Sequence, residues 1–182
     1  MSRVVVAETP VRNWFWLFSL LAVALGVLTM VSVPTAAFAQ DEPREVTRGR
    51  EIYRDKGNCP QCHGWHGDGW NSHMGNGPSL RLTALDETGL VETISCGRPG
   101  SEMPHHASGA FTERFPCYGF TDKAQLEGMK MAVGVPLRQN EIEAITAFIL
   151  AELKGKEEVT IGYCERFYGA NSRNCDEYRG GA

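Results

Sequence analysis

Residues 59–63 read Cys59-Pro60-Gln61-Cys62-His63, a C-x-x-C-H sequence followed directly by glycine. Two thiols three positions apart with an adjacent imidazole form the pattern of covalent haem attachment, in which the thiols bond to one edge of the porphyrin. The histidine that follows is then placed to ligate the iron. The motif occurs once and the chain has no internal repeat, so we expect one haem c, held by Cys59 and Cys62 and ligated by His63.

Two other interpretations of the thiol pair fit less well. A redox-active C-x-x-C pair needs no adjacent histidine and usually follows a strand, and no strand pattern precedes Cys59. A structural zinc site needs a second ligand pair at suitable spacing, and none follows the motif. Haem attachment is therefore the favoured interpretation.

The amino end of the chain predicts export. Residues 14–33 are twenty residues without a charge, preceded by Arg3 and Arg12 and followed by a small-residue run that ends at Ala39. These features are typical of a secretory signal peptide that is cleaved after an A-x-A site. Twenty apolar residues also suffice to span a bilayer, so an uncleaved anchor is the alternative. Both interpretations place the remainder of the chain in the periplasm.

Composition excludes one broad class of function. The 182 residues contain 18 Lys and Arg against 22 Asp and Glu, for a net charge of −4. No basic stretch offers the positive surface that phosphate backbones require. We therefore expect no nucleic-acid partner, and we expect contact with a membrane only if the amino-terminal segment is uncleaved.

The surroundings of the motif extend the pattern. Gly49 and Tyr53 lie four positions apart on a helical run before it, and a glycine-rich loop ending in residues 75–80 comes after it. Residues 97–104 read GRPGSEMP and precede a closing amphipathic helix. In this order these elements resemble the class I c-type cytochromes, over about residues 45–154. The resemblance implies an all-α fold with helices wrapped around one covalently attached haem.

The resemblance also implies a methionine as the second axial ligand. Met103 lies forty residues beyond His63 in a segment rich in Gly and Pro, and a proline follows it as in the family. A thioether favours ferrous iron and raises the reduction potential. His105 and His106 are the main alternatives, although we expect them to be a solvated pair on a loop. The other methionines of the exported part are less favourable candidates: Met74, Met129 and Met131.

Three further residues are assigned by matching family positions. Pro78 matches the proline whose carbonyl oxygen accepts a hydrogen bond from the proximal imidazole, which orients the ring. Tyr53 matches the aromatic residue that packs the first helix against the last. Arg98 is expected to reach a haem propionate, with an ordinary exposed arginine as the alternative. We interpret His66 and His73 as polar loop residues.

The apolar periodicity is helical throughout. It predicts helices over residues 45–56, 87–96 and, more weakly, 123–133, and no stretch shows the sustained alternation of a strand. The closing helix is the best defined, with Asn140 and Glu143 as a capping box at its start. Its apolar stripe consists of Ile142, Ile145, Ile149 and Leu153.

Four cysteines remain after the haem takes two. In an oxidising compartment an even remainder predicts two disulfides with three possible connectivities, and proximity in sequence favours Cys96–Cys117 and Cys164–Cys175. We therefore expect a leader over residues 1–39, a haem domain over 40–155 and a disulfide-pinned extension over 156–182.

These expectations define three functional hypotheses. The first is a periplasmic carrier of single electrons, taking them from a dehydrogenase or respiratory complex and passing them to a downstream cytochrome or oxidase. The alternative is a cytochrome subunit held permanently in a larger oxidoreductase. The third is an enzyme or sensor with an open distal haem site, which methionine ligation disfavours because it fills the position that oxygen or peroxide needs.

Overall fold

The computed structural model describes residues 42–69 and 77–180. The predicted leader with its cleavage site, as well as His73 and Met74, lie outside these residues.

Helix α1 spans Arg44–Glu51 and continues as a π-helical turn over Ile52–Lys56. It carries Glu45 in its first turn and Arg48 and Arg50 in its last, the charge order that the helix dipole favours. The helix predicted over residues 45–56 is therefore present.

The closing helix packs against α1 at very short range. Helix α4 spans Gln139–Phe148 and extends through a π-helical turn over Ile149–Leu153. A Cβ atom on Gly49 would lie 1.9 Å from the carbonyl oxygen of Ala144, so the two backbones approach this closely only because residue 49 has no side chain. Tyr53 is fully buried beside this crossing, with its ring centroid 5.3 Å from that of Phe148. The predicted apolar stripe of α4 is buried.

The start of α4 differs from the prediction. The helix begins at Gln139, and the carboxylate of Glu141 accepts a hydrogen bond of 2.8 Å from the backbone N–H of Arg138. Glu141 also accepts a 2.7 Å bond from Lys56. The predicted capping box of Asn140 and Glu143 is wrong by two residues, because Arg138 occupies the cap position and Glu141 is its partner.

Among the described residues, helices α2 (Pro60–His63) and α3 (Glu87–Cys96) lie between α1 and α4. Helix α2 is a single turn, and helix α3 has the bounds that the sequence predicts. Asp86 caps α3 by accepting a hydrogen bond from the amide of Gly89 at 2.8 Å. Gly97 ends it with φ of +65°, and a Cβ there would lie 2.6 Å from the carbonyl oxygen of Met103. The chain therefore needs glycine at the point where it turns back past its own helix end.

The all-α prediction is wrong in one place, because the fold includes a two-stranded sheet. Strands β1 (Ser101–Ala107) and β2 (Met131–Leu137) pair in parallel with an irregular register. The helix predicted over residues 123–133 is reduced to a 3₁₀ turn at Lys123–Leu126. Each strand contains a proline and the pairing spans a long crossover. Such a sheet depends on distant partners and leaves no alternating pattern in either segment.

His105 and His106 are also placed differently from the prediction of a solvated loop pair. Both lie on β1 and are buried, with exposures of 8% and 5%. The Nδ1 atom of His106 lies 2.8 Å from the carbonyl oxygen of Val135 on β2. Gly134 leaves the room for this ring, since a Cβ there would lie 2.5 Å from it. Sheet pairing therefore draws these imidazoles into the interior.

The carboxyl-terminal extension packs onto α1. It contains helix α5 (Ile161–Tyr168), a 3₁₀ turn at Arg173–Cys175 and the short helix α6 (Asp176–Arg179). The guanidinium groups of Arg50 and Arg54 donate to backbone carbonyls in the last turn of α5, at 3.2 and 2.6 Å. These carbonyls lack helical partners, and cations at this end also suit the helix dipole.

Both disulfides have the favoured connectivity. Cys96 is bonded to Cys117, and Cys164 to Cys175, with Cα–Cα distances of 5.7 Å in each case. The first joins the end of α3 to the crossover between the strands, and the second closes the extension on itself. Over residues 42–69 and 77–180, no helix is both long and apolar enough to cross a membrane.

Candidate haem site

The C-x-x-C-H motif forms helix α2, directly after α1. The amide of Cys59 donates to the carbonyl oxygen of Tyr53 at 3.0 Å, which joins the motif to the end of α1. Pro60 occupies the first helical turn, where its missing N–H costs nothing. The amide of His63 donates to the carbonyl of Cys59 at 3.0 Å. One helical turn therefore puts Cys59, Cys62 and His63 on the same side of the chain.

The two motif thiols differ from the other described cysteines. Cys59 and Cys62 are unbonded and half-buried, whereas the other four cysteines are in disulfides. Burial raises the pKa of the Cys59 thiol to about 12. A redox-active pair requires the opposite, a lowered thiol pKa that supplies thiolate at neutral pH. The environment of Cys59 therefore disfavours the thiol-redox interpretation.

His63 is buried with one ring nitrogen engaged. Its exposure is 8%, and Nδ1 lies 2.8 Å from the carbonyl oxygen of Pro78. Because a carbonyl only accepts, Nδ1 carries the proton in this contact and Nε2 keeps its lone pair. Burial lowers the pKa of His63 against the opposing effect of the Pro78 hydrogen bond, and the positive charge of Arg98 lowers it further. The ring is thus held neutral, the form that ligates iron.

Gly77 brings the Pro78 carbonyl to His63. Its amide donates to the carbonyl oxygen of Cys62 at 2.7 Å. A Cβ on Gly77 would lie 2.7 Å from that oxygen and 3.0 Å from Nδ1 of His63. Only a residue without a side chain lets the segment pass this close to the motif. Gly69 is equally restricted, because a Cβ there would lie 2.2 Å from the carbonyl oxygen of Gly77.

Met103 is held in a short closed turn with Arg98. The amide of Arg98 donates to the carbonyl of Met103 at 3.1 Å, and the hydroxyl of Ser101 bridges the turn. That hydroxyl donates to the carbonyl of Arg98 at 2.8 Å and accepts from the amide of Met103 at 3.2 Å. Met103 is partly exposed at the start of β1. Arg98 is exposed, and its positive charge lowers the pKa of His63.

These residues fit a covalently attached haem. Two free thiols, a neutral buried imidazole with Nε2 available and a nearby arginine are the groups such a cofactor uses. Within residues 42–69 and 77–180, no three His, Cys, Asp or Glu side chains cluster as ligands for a metal ion. The fold therefore brings Cys59 and Cys62 no further partners for zinc in that part of the chain.

The sequence did not indicate how the segment after His63 is supported. His66, interpreted as a polar loop residue, is largely covered and lies edge-on to Trp65, with their ring centroids 4.8 Å apart. Arg81 and Tyr163 donate hydrogen bonds to the backbone of this segment. The one available signal was the concentration of aromatic residues in the extension, which has no fixed spacing relative to the motif.

A helical domain with C-x-x-C-H on its second helix defines a haem-binding electron-transfer protein. The sequence profile of the cytochrome c family matches residues 46–151, which is more than half of the chain. The protein therefore belongs to the cytochrome c family, whose members carry covalent haem and are typically electron carriers rather than enzymes. No curated protein and no solved structure matches the chain.

Proposed function

We propose that this protein is a periplasmic mono-haem cytochrome that carries single electrons from a dehydrogenase or respiratory complex to a downstream cytochrome or oxidase. The observation that supports it most is the arrangement of His63, whose Nδ1 is engaged by Pro78 while two free thiols lie on the same helical turn. When bound, the haem supplies a one-electron couple at its iron. The chain supplies attachment, orientation and exclusion of other ligands.

Each site residue has a distinct role in this proposal. Cys59 and Cys62 would hold the porphyrin through thioether bonds, and His63 would offer Nε2 to the iron. Pro78 keeps the imidazole in one tautomer and orientation. With haem bound, Met103 would supply a thioether ligand to the iron and would thereby occupy the position that a substrate of the iron needs. Arg98 offers its guanidinium to a propionate.

The disulfides support an oxidising compartment. Cys96–Cys117 and Cys164–Cys175 are both formed, and such bonds persist in the periplasm and are rare in the cytosol. The net charge of −4 favours partners with a basic docking surface. We expect electron-transfer association rates to fall as ionic strength rises, because opposite charges steer the encounter.

The test is to express the exported chain in a host with a haem-attachment apparatus. Haem that remains on the chain after denaturation, at one per chain, with a redox titration fitting one electron, supports the proposal. The C59A/C62A variant should lose the haem, and the matched C164A/C175A variant should keep it. A wild-type chain without covalent haem contradicts the proposal.

Two further measurements separate the carrier from the other hypotheses. Native periplasmic extract on size exclusion should show a free carrier at its own mass, whereas elution with a large complex supports the permanently held subunit. Rapid binding of carbon monoxide to the reduced protein would indicate an open distal site and would support an enzyme or sensor.

A further inference from the structure

The backbone directly after His63 contains three glycines and so has many accessible conformations in the unfolded chain. Gly64, Gly67 and Gly69 all have positive φ, at 76°, 75° and 78°. Glycine has more conformations to lose on folding than any other residue, so a segment with three of them in six positions needs external constraints. This segment also helps to position the backbone of His63, because the amide of Gly69 donates a hydrogen bond of 2.8 Å to the carbonyl oxygen of His63.

Three consecutive carbonyls of this segment accept hydrogen bonds from side chains of three different regions. Tyr53 on α1 donates to the carbonyl of Gly64 at 2.7 Å. Arg81, in the loop before α3, donates to the carbonyl of His66 at 3.2 Å. Between them, the hydroxyl of Tyr163 donates to the carbonyl of Trp65 at 3.1 Å. The first two donors lie within the family match, and Tyr163 lies beyond its end at residue 151.

Contacts with Trp65 and with the extension itself hold Tyr163 in place. Its ring stacks on Trp65 with a centroid distance of 5.5 Å and an interplanar angle of 22°. Its amide donates to the capping hydroxyl of Thr160 at 3.2 Å. The next residue, Cys164, is in the extension's disulfide. Tyr163 is buried, and burial raises the pKa of its phenol, so the hydroxyl stays protonated and able to donate.

We propose that Tyr163 is a positioning residue for the proximal ligand, and that the carboxyl-terminal extension serves as a clamp on the haem-attachment segment. By holding the carbonyl of Trp65, Tyr163 restricts the glycine-rich segment whose amide at Gly69 fixes the backbone of His63. This inference rests on the proposed function, since it takes His63 as the iron ligand. On this inference the extension influences the reduction potential of the haem site and is not an independent domain.

The hydrogen bond between His63 and Pro78 determines in which direction the reduction potential should change. A hydrogen bond at Nδ1 makes the imidazole a stronger donor, which stabilises ferric iron. If the segment relaxes, the contact between His63 and Pro78 weakens and ferrous iron is favoured. Loss of the Tyr163 hydroxyl should therefore raise the reduction potential.

The test compares two holoprotein variants that each lose one phenol hydroxyl. Y163F removes the donor to Trp65. Y168F is the matched control, because the Tyr168 ring also contacts Trp65 at 5.0 Å, while its hydroxyl makes no hydrogen bond within the described residues. We expect Y163F to shift the reduction equilibrium about twofold or more toward the ferrous form, and Y168F to titrate like the wild type.

Amide exchange gives a local readout. In Y163F the Gly69 amide should exchange about fivefold faster, a factor equivalent to the net contribution of about 1 kcal/mol of one hydrogen bond. A second variant, T160V, removes the cap that holds the amide of Tyr163 and should shift the potential in the same direction, so the test does not depend on one substitution. Potentials of Y163F and T160V that both equal that of Y168F overturn the inference. Absence of covalent haem from the wild type instead refutes the proposed function.

Discussion

The Nδ1 atom of His63 lies 2.8 Å from the carbonyl oxygen of Pro78, fifteen residues further along the chain. This contact exists because Gly77 passes against the backbone of Cys62 without a side chain. One glycine therefore links the local motif to the contact that orients its histidine. Gly49 plays a similar role where α1 crosses α4, because a side chain at this position would clash with the backbone of Ala144.

Replacing Gly77 by alanine should displace the Pro78 carbonyl. The new Cβ would lie 2.7 Å from the carbonyl oxygen of Cys62, and a backbone atom cannot rotate away. We expect the free energy of unfolding to fall by about 1–3 kcal/mol, as for other overpacked sites, measured by denaturant titration of the holoprotein. Gly162→Ala is the control, because a Cβ there meets only a flexible Arg166 side-chain atom at 3.6 Å. If the two variants were equally stable, the segment around Gly77 would have to shift without loss of stability, which would contradict the prediction.

On the role proposed for Met103, replacing it by alanine should leave one ligand position of the haem iron open. We expect loss of the weak long-wavelength absorption band that methionine ligation gives to ferric haem, together with carbon monoxide binding to the reduced variant. M131A is the control, since Met131 is a comparable methionine on β2 and packs against the core. If the band survives in M103A and disappears in M131A, Met131 is the ligand instead.

Removing the Cys96–Cys117 disulfide should loosen the segment that contains Met103. The two cysteines are 21 positions apart and flank the turn of Arg98 and Met103. A loop of this length predicts a loss of about 3 kcal/mol, measured as the unfolding free energy of C96A/C117A with haem still attached. C164A/C175A, with a separation of 11, closes a smaller loop and should lose less. The opposite order would mean that the extension, rather than the strand crossover, limits stability.

Glu141 predicts a stability change with pH. Hydrogen bonds from the Arg138 amide and from Lys56 lower the pKa of its carboxyl to about 2, against about 4.3 in an unfolded chain. Because the folded pKa is the lower one, this stabilisation is complete above pH 4.3 and is lost as pH falls toward 2. Glu141→Gln should lower the free energy of unfolding at pH 7 by about 3 kcal/mol, the value that follows from a pKa of about 2 in the fold and about 4.3 in the unfolded chain.

Unfolding titrations at several pH values check this prediction. The difference between wild type and E141Q should shrink steadily as the pH falls from 4.3 to 2. Glu143→Gln is the control, since Glu143 is exposed and bonds only to Gln139 among the described residues. A difference that persists unchanged at low pH would show that packing, not ionisation, underlies the effect.

Local patterns predicted α1, α3, α4 and the attachment motif, but they did not predict α5 and α6 or the pairing of the two strands. The apolar stripe of α4 and the spacing of Gly49 and Tyr53 are visible in the sequence because each repeats within one or two helical turns. The sheet of β1 and β2 was missed because neither strand alternates, and its stability comes from a partner about thirty residues away. The burial of His105 and His106 was missed for the same reason.

The sequence by itself determined the chemistry of the site, because C-x-x-C-H places its three groups within one helical turn whatever surrounds it. Proximity along the chain also favoured the two disulfide pairings that the structure contains. Only the tertiary structure decided that His63 meets Pro78, that the chain closes a small parallel sheet beside Met103, and that Tyr163 reaches the carbonyl of Trp65. Those contacts join residues about 15 to 100 positions apart, and such contacts depend on how the helices pack rather than on any repeat in the sequence.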